Sequence, residues 1–269
     1  MQNRRRIMRT AIVTLSEPGF LVAACIHRSL PETDLFVHEC VGIENGLDVK
    51  CFSRVVELTA EIFDQYQGIV YIAPCGVVAR AIAPLIAHKK TDPAIVVVDV
   101  GARYSISFLS GHEGGANSLS VRIANITGAE PVVTTTTEAV KNIIVGIGCR
   151  RNMAAENIKS AILSALSENN IHLEQVRLLA SGDVKSREAG LLEAAYGLEL
   201  PIYFIPSAMI KTYAGAFDAS DFVMEKVDLP AVAEPAALLA GRRTSLVQKK
   251  KTYGGITVAI ARESFSLSE

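Results

Sequence analysis

The chain has 269 residues, of which 49% are hydrophobic and 20% are charged. This composition supplies a packed core and excludes an intrinsically disordered chain. The 27 Lys and Arg residues nearly balance the 28 Asp and Glu residues, which gives a net charge of -1. The chain therefore lacks the basic field that binds duplex nucleic acid, and we expect no nucleic-acid partner.

The number and spacing of the cysteines, together with the first residues of the chain, indicate the cellular compartment. The five cysteines are odd in number and lack CxxC spacing, which predicts reduced thiols in a cytoplasmic protein. The first apolar stretch is interrupted by Glu17 and Pro18, so it does not form a signal peptide. Met8 is an alternative start, which would leave residues 1–7 as a disordered leader. No apolar run approaches the roughly 18 residues that span a bilayer, so we expect no membrane partner.

The first half of the chain alternates short β-branched runs with longer amphipathic stretches, a pattern typical of βαβ units and mainly parallel sheets. The predicted strands are 10–15, 34–37, 68–73, 94–99, 104–109 and 130–135. The predicted helices are 18–29, 55–65, 76–87 and 114–126.

The second half repeats this alternation after a new glycine-rich strand near residue 142. The predicted strands are 143–148, 176–180, 201–205 and 256–261. The predicted helices are 153–167, 186–196 and 234–240. We therefore predict two α/β domains, residues 1–140 and 141–269, each with mainly parallel strands in a three-layer helix/sheet/helix arrangement.

The turn Ser110-Gly-His-Glu-Gly-Gly-Ala-Asn117 is the first candidate site. Its glycines allow close backbone approach to a ligand, and a helix start presents free N–H groups that suit a carboxylate or phosphate. The candidate binding residues here are Gly111, Gly114, Gly115 and Asn117. His112 and Glu113 form a candidate acid/base pair. The alternative is a glycine-shaped turn in which both side chains only cap the helix.

The second candidate is the turn Gly146-Ile-Gly-Cys-Arg-Arg-Asn152. A dinucleotide-binding fingerprint needs glycine where Arg151 stands, so we reject a nicotinamide site. Gly148, Arg150 and Arg151 are instead predicted to bind an acidic group at a helix start. The alternative is that both arginines are solvated surface residues.

The third group of candidates follows the predicted strand 68–73. Arg80 and Lys89 are predicted to face an acidic substrate, or else to lie on a helix surface. Cys75 and Cys149 are interpreted as small packed thiols, because no local partner completes a Cys–His dyad. Zinc-site spacing, a GxSxG elbow and a Walker loop are all missing from the sequence. The residues alone thus predict binding of a polyanionic small molecule, without a protein metal site.

Several stretches together resemble the cobalt-precorrin-5A hydrolase family of the anaerobic cobalamin pathway. Residues 76–138, with the specific motif SGHxGGAN, resemble the amino-terminal domain of that family. Similarity to the carboxy-terminal domain of that family is found in GIGCRRN with Glu156, and in the segments 179–195, 232–240 and 257–262. The resemblance covers about nine-tenths of the chain. Many family members carry a middle region between the two domains, whereas Glu138 here runs almost directly into the strand at Ile143.

The resemblance implies a reaction on a cobalt-bound tetrapyrrole that carries a δ-lactone. Water opens the lactone, and one carbon of the ring leaves with its methyl group as acetaldehyde. The cobalt belongs to the substrate, so no cofactor is implied. From residue chemistry, His112 would activate water with help from Glu113, and the glycines would stabilise an oxyanion.

Two other functions remain open. The chain could be a non-catalytic carrier of the tetrapyrrole, because its carboxy-terminal domain resembles stand-alone proteins of cobalamin synthesis. A nucleotide-dependent enzyme is disfavoured by the missing phosphate motifs. The sequence leaves a homodimer open.

Overall fold

The computed structural model describes residues 8–30, 32–42, 46–215 and 232–264. The leader expected at residues 1–7 lies outside the described residues. The chain divides into two compact units, Met1–Thr135 and Thr136–Glu269. This division falls five residues before the end of the first domain expected from the sequence, residue 140. Among the described residues, no helix is long and apolar enough to cross a membrane.

The first unit contains a seven-stranded sheet in the order β3-β2-β1-β4-β5-β6-β7. The strands are β1 (Thr10–Thr14), β2 (Thr33–His38), β3 (Val49–Phe52), β4 (Gly68–Ile72), β5 (Ala94–Val98), β6 (Tyr104–Leu109) and β7 (Glu130–Val132). The helices are α1 (Glu17–Ser29), α2 (Val55–Ile62), α3 (Cys75–Ile82) and α4 (Ala116–Thr127). Strands β1, β4 and β5 are fully buried, because helices cover both faces of the sheet.

One strand of this sheet runs against the others. Strand β6 pairs with β5 in antiparallel fashion, so Leu109 at the end of β6 lies opposite Ile95 at the start of β5. Strand β7 then pairs with β6 in parallel. The segment that follows β6 consequently lies at the edge where β1, β4 and β5 begin, and not at the edge where those strands end.

The second unit contains a five-stranded sheet in the order β10-β9-β8-β12-β11. The strands are β8 (Ile143–Cys149), β9 (Val176–Gly182), β10 (Ile202–Ile205), β11 (Thr244–Tyr253) and β12 (Ile256–Glu263). The helices are α5 (Thr136–Ala139), α6 (Ala155–Glu168), α7 (Ala189–Gly197), α8 (Ser207–Gly215) and α9 (Ala233–Leu239). Strands β8, β9 and β10 are parallel, whereas β12 is antiparallel to both β8 and β11.

Each unit has a hydrophobic core on both faces of its sheet, which confirms the predicted α/β class and its three layers. In the first unit, Phe20 of α1 and Ile123 of α4 pack on one face, and Ile62 of α2 with Val78 of α3 packs on the other. In the second unit, α6 and α7 cover one face and α8 and α9 the other.

Four elements were not predicted from the sequence, namely β3, α5, α8 and β11. Strand β3 has four residues and an exposed face, so it lacks a buried strand's apolar run. Strand β11 contains three consecutive exposed lysines, Lys249, Lys250 and Lys251. They interrupt the alternation of apolar and polar residues by which a strand is recognised. Gly254 and Gly255 join β11 to β12 and both have positive φ, as a two-residue hairpin turn requires.

Candidate functional site

The turn between β6 and α4 is closed by two glycines that have no room for a side chain. A Cβ atom on Gly111 would lie 2.6 Å from Thr135 Cγ2, and one on Gly114 would lie 2.4 Å from Ser110 Cβ. Ser110 and Gly115 have φ angles of 57° and 91°, so the chain reverses through the left-handed region at both positions. The glycine pattern thus first serves to build the turn.

The start of α4 does not present all of its N–H groups to a ligand. The N–H of Ala116 donates to the carbonyl of Ser110 at 3.2 Å, and that of Asn117 donates to Gly111 at 3.0 Å. The expectation of a helix start with free N–H groups is therefore wrong for these two donors, because the turn folds back and supplies their acceptors.

Asn117 connects three segments of the first unit. Its Oδ1 accepts a hydrogen bond from Ser107 Oγ of β6 at 2.7 Å, and its Nδ2 donates to Thr135 Oγ1 at 2.9 Å. Ser107 and Thr135 were not singled out as partners from the sequence. The Asn117 amide therefore fixes α4 against β6 and against the segment that follows β7.

His112 and Glu113 are both exposed on this turn, and the structure places Lys89 beside them. Lys89 Nζ lies 3.0 Å from Glu113 Oε1. The hydrogen bond and the charge of Lys89 lower the pKa of Glu113. Glu113 is consequently held as a carboxylate, which can accept a hydrogen bond but is a poor proton donor near neutral pH.

The segment that carries Lys89 is itself fixed by a buried carboxylate. Asp92 is only 6% exposed and accepts hydrogen bonds from the backbone N–H groups of Ala87 and His88. Its carbonyl oxygen would lie 3.4 Å from a Cβ atom on Gly114. Asp92 thus fixes the segment before β5, and its carbonyl lies next to the glycine turn.

Ser110 is a site residue that the sequence reasoning did not assign. It is 8% exposed, and its Oγ is buried without a hydrogen-bond partner in the described part of the chain. A buried hydroxyl without a partner loses its hydration, and native structures rarely leave one so. The Ser110 hydroxyl lies at the turn between β6 and α4 that also carries His112, and it is available to donate or accept a hydrogen bond.

Arg80 does not lie with Lys89. Its Nη1 donates to the carbonyl of Gly76 at 2.9 Å, in the first turn of α3, which follows the end of β4. Lys89 lies instead before the start of β5. The two residues therefore belong to segments at opposite edges of the sheet, and the prediction that each faces an acidic substrate stays a prediction.

The turn after β8 differs from the helix start expected there. Helix α6 begins at Ala155, so Arg150 and Arg151 lie in the preceding turn, where both are exposed. Asn152 has a φ angle of 58°, and its N–H donates to Glu188 Oε1 at 2.5 Å. The arginines are therefore presented by a turn that Glu188 holds, and the prediction that they stand at a helix N-terminus is wrong.

The glycines of that turn have packing roles. A Cβ atom on Gly146 would lie 1.9 Å from the carbonyl oxygen of Ala233. The absence of a side chain at Gly146 therefore allows α9 to pack closely against β8. Gly148 lies within β8 opposite Thr257, and its Cβ would lie 3.2 Å from Thr257 Oγ1. Gly148 is thus part of a paired strand and not of an open loop.

The cysteines differ in their surroundings. Cys75 and Cys149 are partly buried and pack against the cores of their units, and burial raises the pKa of the Cys149 thiol. Cys40 was interpreted from the sequence only as a reduced thiol, and its imidazole partner His38 was not predicted. The described residues contain no group of three or more His, Cys, Asp or Glu side chains that could hold a metal ion.

Comparison with known proteins accounts for both units. Residues 57–138 match the family described as cobalamin synthesis G N-terminal, and residues 143–261 match cobalamin synthesis G C-terminus. The chain belongs to the cobalt-precorrin-5A hydrolase family. The matched segments are separated only by residues 139–142, and the protein has a role in cobalamin biosynthesis.

Three relatives show how the similarity is distributed. A cobalt-precorrin-5A hydrolase of Priestia megaterium is 25% identical over 354 aligned positions, covering 93% of this chain and 94% of that protein. A cobalt-precorrin-5A hydrolase of Salmonella typhimurium is 44% identical over 78 residues, which are 29% of this chain and 22% of that protein. Protein CobE of a Sinorhizobium species is 31% identical over 128 residues, covering 47% of this chain and 83% of that protein.

The alignment with the Priestia megaterium hydrolase is longer than this chain. Its 354 positions exceed the 269 residues of this chain, so the Priestia protein contains segments that have no counterpart here. This agrees with the shortened connection between the two units.

Proposed function

We propose that this protein hydrolyses the δ-lactone of cobalt-precorrin-5A and releases acetaldehyde, which leaves cobalt-precorrin-5B. The observation that carries this proposal is the alignment with the Priestia megaterium hydrolase, which spans 93% of this chain and 94% of that protein. Both segments that match the family are therefore represented in this chain.

The turn between β6 and α4 supports a hydrolytic role. His112 is exposed there and can accept a proton from the water that attacks the lactone carbonyl. The backbone N–H groups of Gly114 and Gly115 can stabilise the oxyanion that forms in this attack. Glu113 assists as a carboxylate whose pKa is lowered by Lys89, so it orients water or the imidazolium and does not donate a proton.

The acidic arms of the tetrapyrrole require cations. Lys89 beside the turn, and Arg150 with Arg151 after β8, are exposed and can bind acetate or propionate groups. Gly111 and Gly148 would contribute backbone contacts, and Arg80 would bind an arm that reaches the opposite edge of the first sheet. The cobalt is bound by the substrate in this proposal, so the protein supplies no metal ligand.

The alternative function is a non-catalytic carrier of the same tetrapyrrole. It is favoured by the match with CobE, a separate protein of which this chain covers 83%. The carrier would use the same cations to bind the acidic arms but would not activate water.

Incubation with cobalt-precorrin-5A distinguishes the two functions. Acetaldehyde is measured by coupling to alcohol dehydrogenase and following NADH absorbance. The hydrolase predicts acetaldehyde release that is proportional to protein concentration and is lost when the protein is heat-denatured. Retention of the tetrapyrrole by the protein without acetaldehyde would overturn the hydrolase and support the carrier.

A further inference from the structure

A thiol and an imidazole are paired at the end of β2, far from the glycine turn. His38 is the last residue of β2, and Cys40 follows two residues later. His38 Nδ1 lies 2.8 Å from Cys40 Sγ, and His38 Nε2 lies 2.9 Å from the carbonyl oxygen of Ser53. The imidazole ring also packs edge-to-face on Phe52, with 5.5 Å between ring centroids. The ring is thus held in one orientation with one nitrogen directed at the thiol.

The neighbouring groups determine which nitrogen carries the proton. The Ser53 carbonyl can only accept, so His38 Nε2 must carry a hydrogen and donate it. The backbone N–H of Cys40 can only donate, and it lies 3.2 Å from His38 Nδ1. Nδ1 is therefore the acceptor. Its single lone pair faces both the Cys40 backbone N–H and the Cys40 thiol, and it is within reach of the thiol proton, as a general base requires.

The pair is accessible and is placed where open α/β sheets bind ligands. Cys40 is exposed, and its Sγ lies 4.0 Å from the carbonyl oxygen of Leu15, directly after β1. The order β3-β2-β1-β4-β5 reverses between β1 and β4. Ligands of such sheets bind beyond the carboxyl ends of the strands at this reversal. Because β6 is antiparallel to β5, the His112 turn lies at the opposite edge of the sheet.

We propose that Cys40 and His38 form a nucleophilic dyad that takes an acyl group from an ester or lactone. A nucleophile, a base in contact with it and a group that orients the base are the three parts of covalent acyl transfer. Here they are Cys40 Sγ, His38 Nδ1 and the Ser53 carbonyl. The proposal goes beyond the tetrapyrrole reaction and does not rest on it, because it uses neither His112 nor Glu113 and concerns any accessible acyl carbon.

The reaction needs no added oxidant or cofactor. Cys40 Sγ bonds to the acyl carbon while its proton passes to His38 Nδ1. The bond from the acyl carbon to the alkoxy oxygen breaks, and the imidazolium returns the proton to that oxygen. The resulting alcohol leaves when the donor is an ester and stays attached to the acyl chain when the donor is a lactone. Water then attacks the thioester with His38 as base, the acyl–sulfur bond breaks, and a carboxylic acid and the free thiol result.

The experiment uses the full chain and p-nitrophenyl acetate as the acyl donor. Release of p-nitrophenolate is followed by absorbance, and peptide mass spectrometry locates the acetyl group. We expect acetylation at Cys40, and a loss of release of about a hundredfold or more in Cys40→Ser and His38→Asn. Cys25→Ser and Cys51→Ser are matched controls, since both cysteines are exposed. Both controls should retain wild-type release.

A second measurement keeps the test independent of folding. Iodoacetamide labelling of the wild-type protein compares the three exposed cysteines within one chain, and we expect Cys40 to react at least about tenfold faster than Cys25 and Cys51. Equal labelling rates, or an acetyl group found equally on all three cysteines, would overturn the dyad. Because neither probe is a tetrapyrrole, failure here leaves the acetaldehyde assay unaffected, and the reverse also holds.

Discussion

Lys89 Nζ lies 3.0 Å from Glu113 Oε1, although 23 residues separate them in the chain. Lys89 precedes β5 and Glu113 follows β6, and the antiparallel pairing of these strands brings the two segments to one edge. Lys89 is largely exposed, so the pair contributes little to folding stability. Its consequence is electrostatic, because it places a cation beside a carboxylate next to His112 and lowers the pKa of that carboxyl.

We predict that Lys89→Gln raises the pKa of Glu113 towards its ordinary value. The substitution removes the charge and the hydrogen bond that lower this pKa. Carbon-13 NMR of the Glu113 carboxyl during a pH titration measures the effect. Lys50→Gln is the matched control, since Lys50 pairs with Asp34 instead. An unchanged Glu113 titration in Lys89→Gln would mean that the pair does not form in solution.

His112→Ala should lower kcat for acetaldehyde release by about a hundredfold to ten-thousandfold, the usual loss on removing a positioned acid/base group. The fold should persist, because His112 is exposed and contributes little to the core. His112→Asn separates a catalytic from a structural role, since Asn retains hydrogen-bonding capacity but cannot accept the proton. Near-normal release by the Asn variant would assign His112 a structural role and make Glu113 the next residue to test.

Much of the fold follows from local sequence. Strand β5, with the apolar run Ala94–Val98, is buried along its whole length, and such runs identify strands without knowledge of their partners. An apolar run does not show in which direction its strand runs, so the direction has to be inferred from the connections between strands. Only residues 99–103 connect β5 to β6, which is too short for a parallel crossover. The antiparallel strand, and with it the edge that carries His112, could therefore have been inferred from connection length.

The site was less predictable because its contacts join segments that are distant in sequence. The Asn117–Thr135 hydrogen bond depends on β7 lying beside β6, and no local pattern encodes that pairing. The same holds for His38, whose partner Ser53 is brought close by the pairing of β2 with β3. Residue type and glycine spacing located the turns, but tertiary pairing decided which side chains meet.

Arg150→Ala and Arg151→Ala should each raise KM by about tenfold to a hundredfold with a smaller change in kcat. A charge-assisted hydrogen bond to a carboxylate contributes on the order of 1.5–3 kcal/mol. The effect should shrink at high salt, because attraction between exposed charges is screened. Arg54→Ala is the control, since this exposed arginine pairs with Glu57. An unchanged KM in both variants would show that the arginines are solvated surface residues.

Gly146→Ala should destabilise the second unit strongly. The added Cβ would lie 1.9 Å from the carbonyl oxygen of Ala233, so α9 must move away from β8 and expose buried apolar surface. Overpacking of this kind costs about 1–3 kcal/mol or more, which thermal unfolding measures as a lower Tm. Gly76→Ala is the control, because its Cβ would approach only the flexible end of Arg80, at 3.6 Å. An equal Tm in both variants would contradict the close packing of α9.

The lowered pKa of Asp34 predicts how the stability of the first unit depends on pH. Burial alone would raise its pKa, but hydrogen bonds from Lys50, Tyr66 and Arg9 outweigh burial and lower the pKa to about 2. Because an unfolded Asp has a pKa of about 3.9, this stabilisation is fully present above about pH 4 and is lost as the pH falls through 2. Asp34→Asn should therefore lower Tm at pH 7, and its difference from wild type should shrink steadily between pH 4 and pH 2. Glu57→Gln, at an exposed ion pair, should show no such convergence. If the Tm difference for Asp34→Asn were as large at pH 2 as at pH 7, the ionised carboxylate would not be its source.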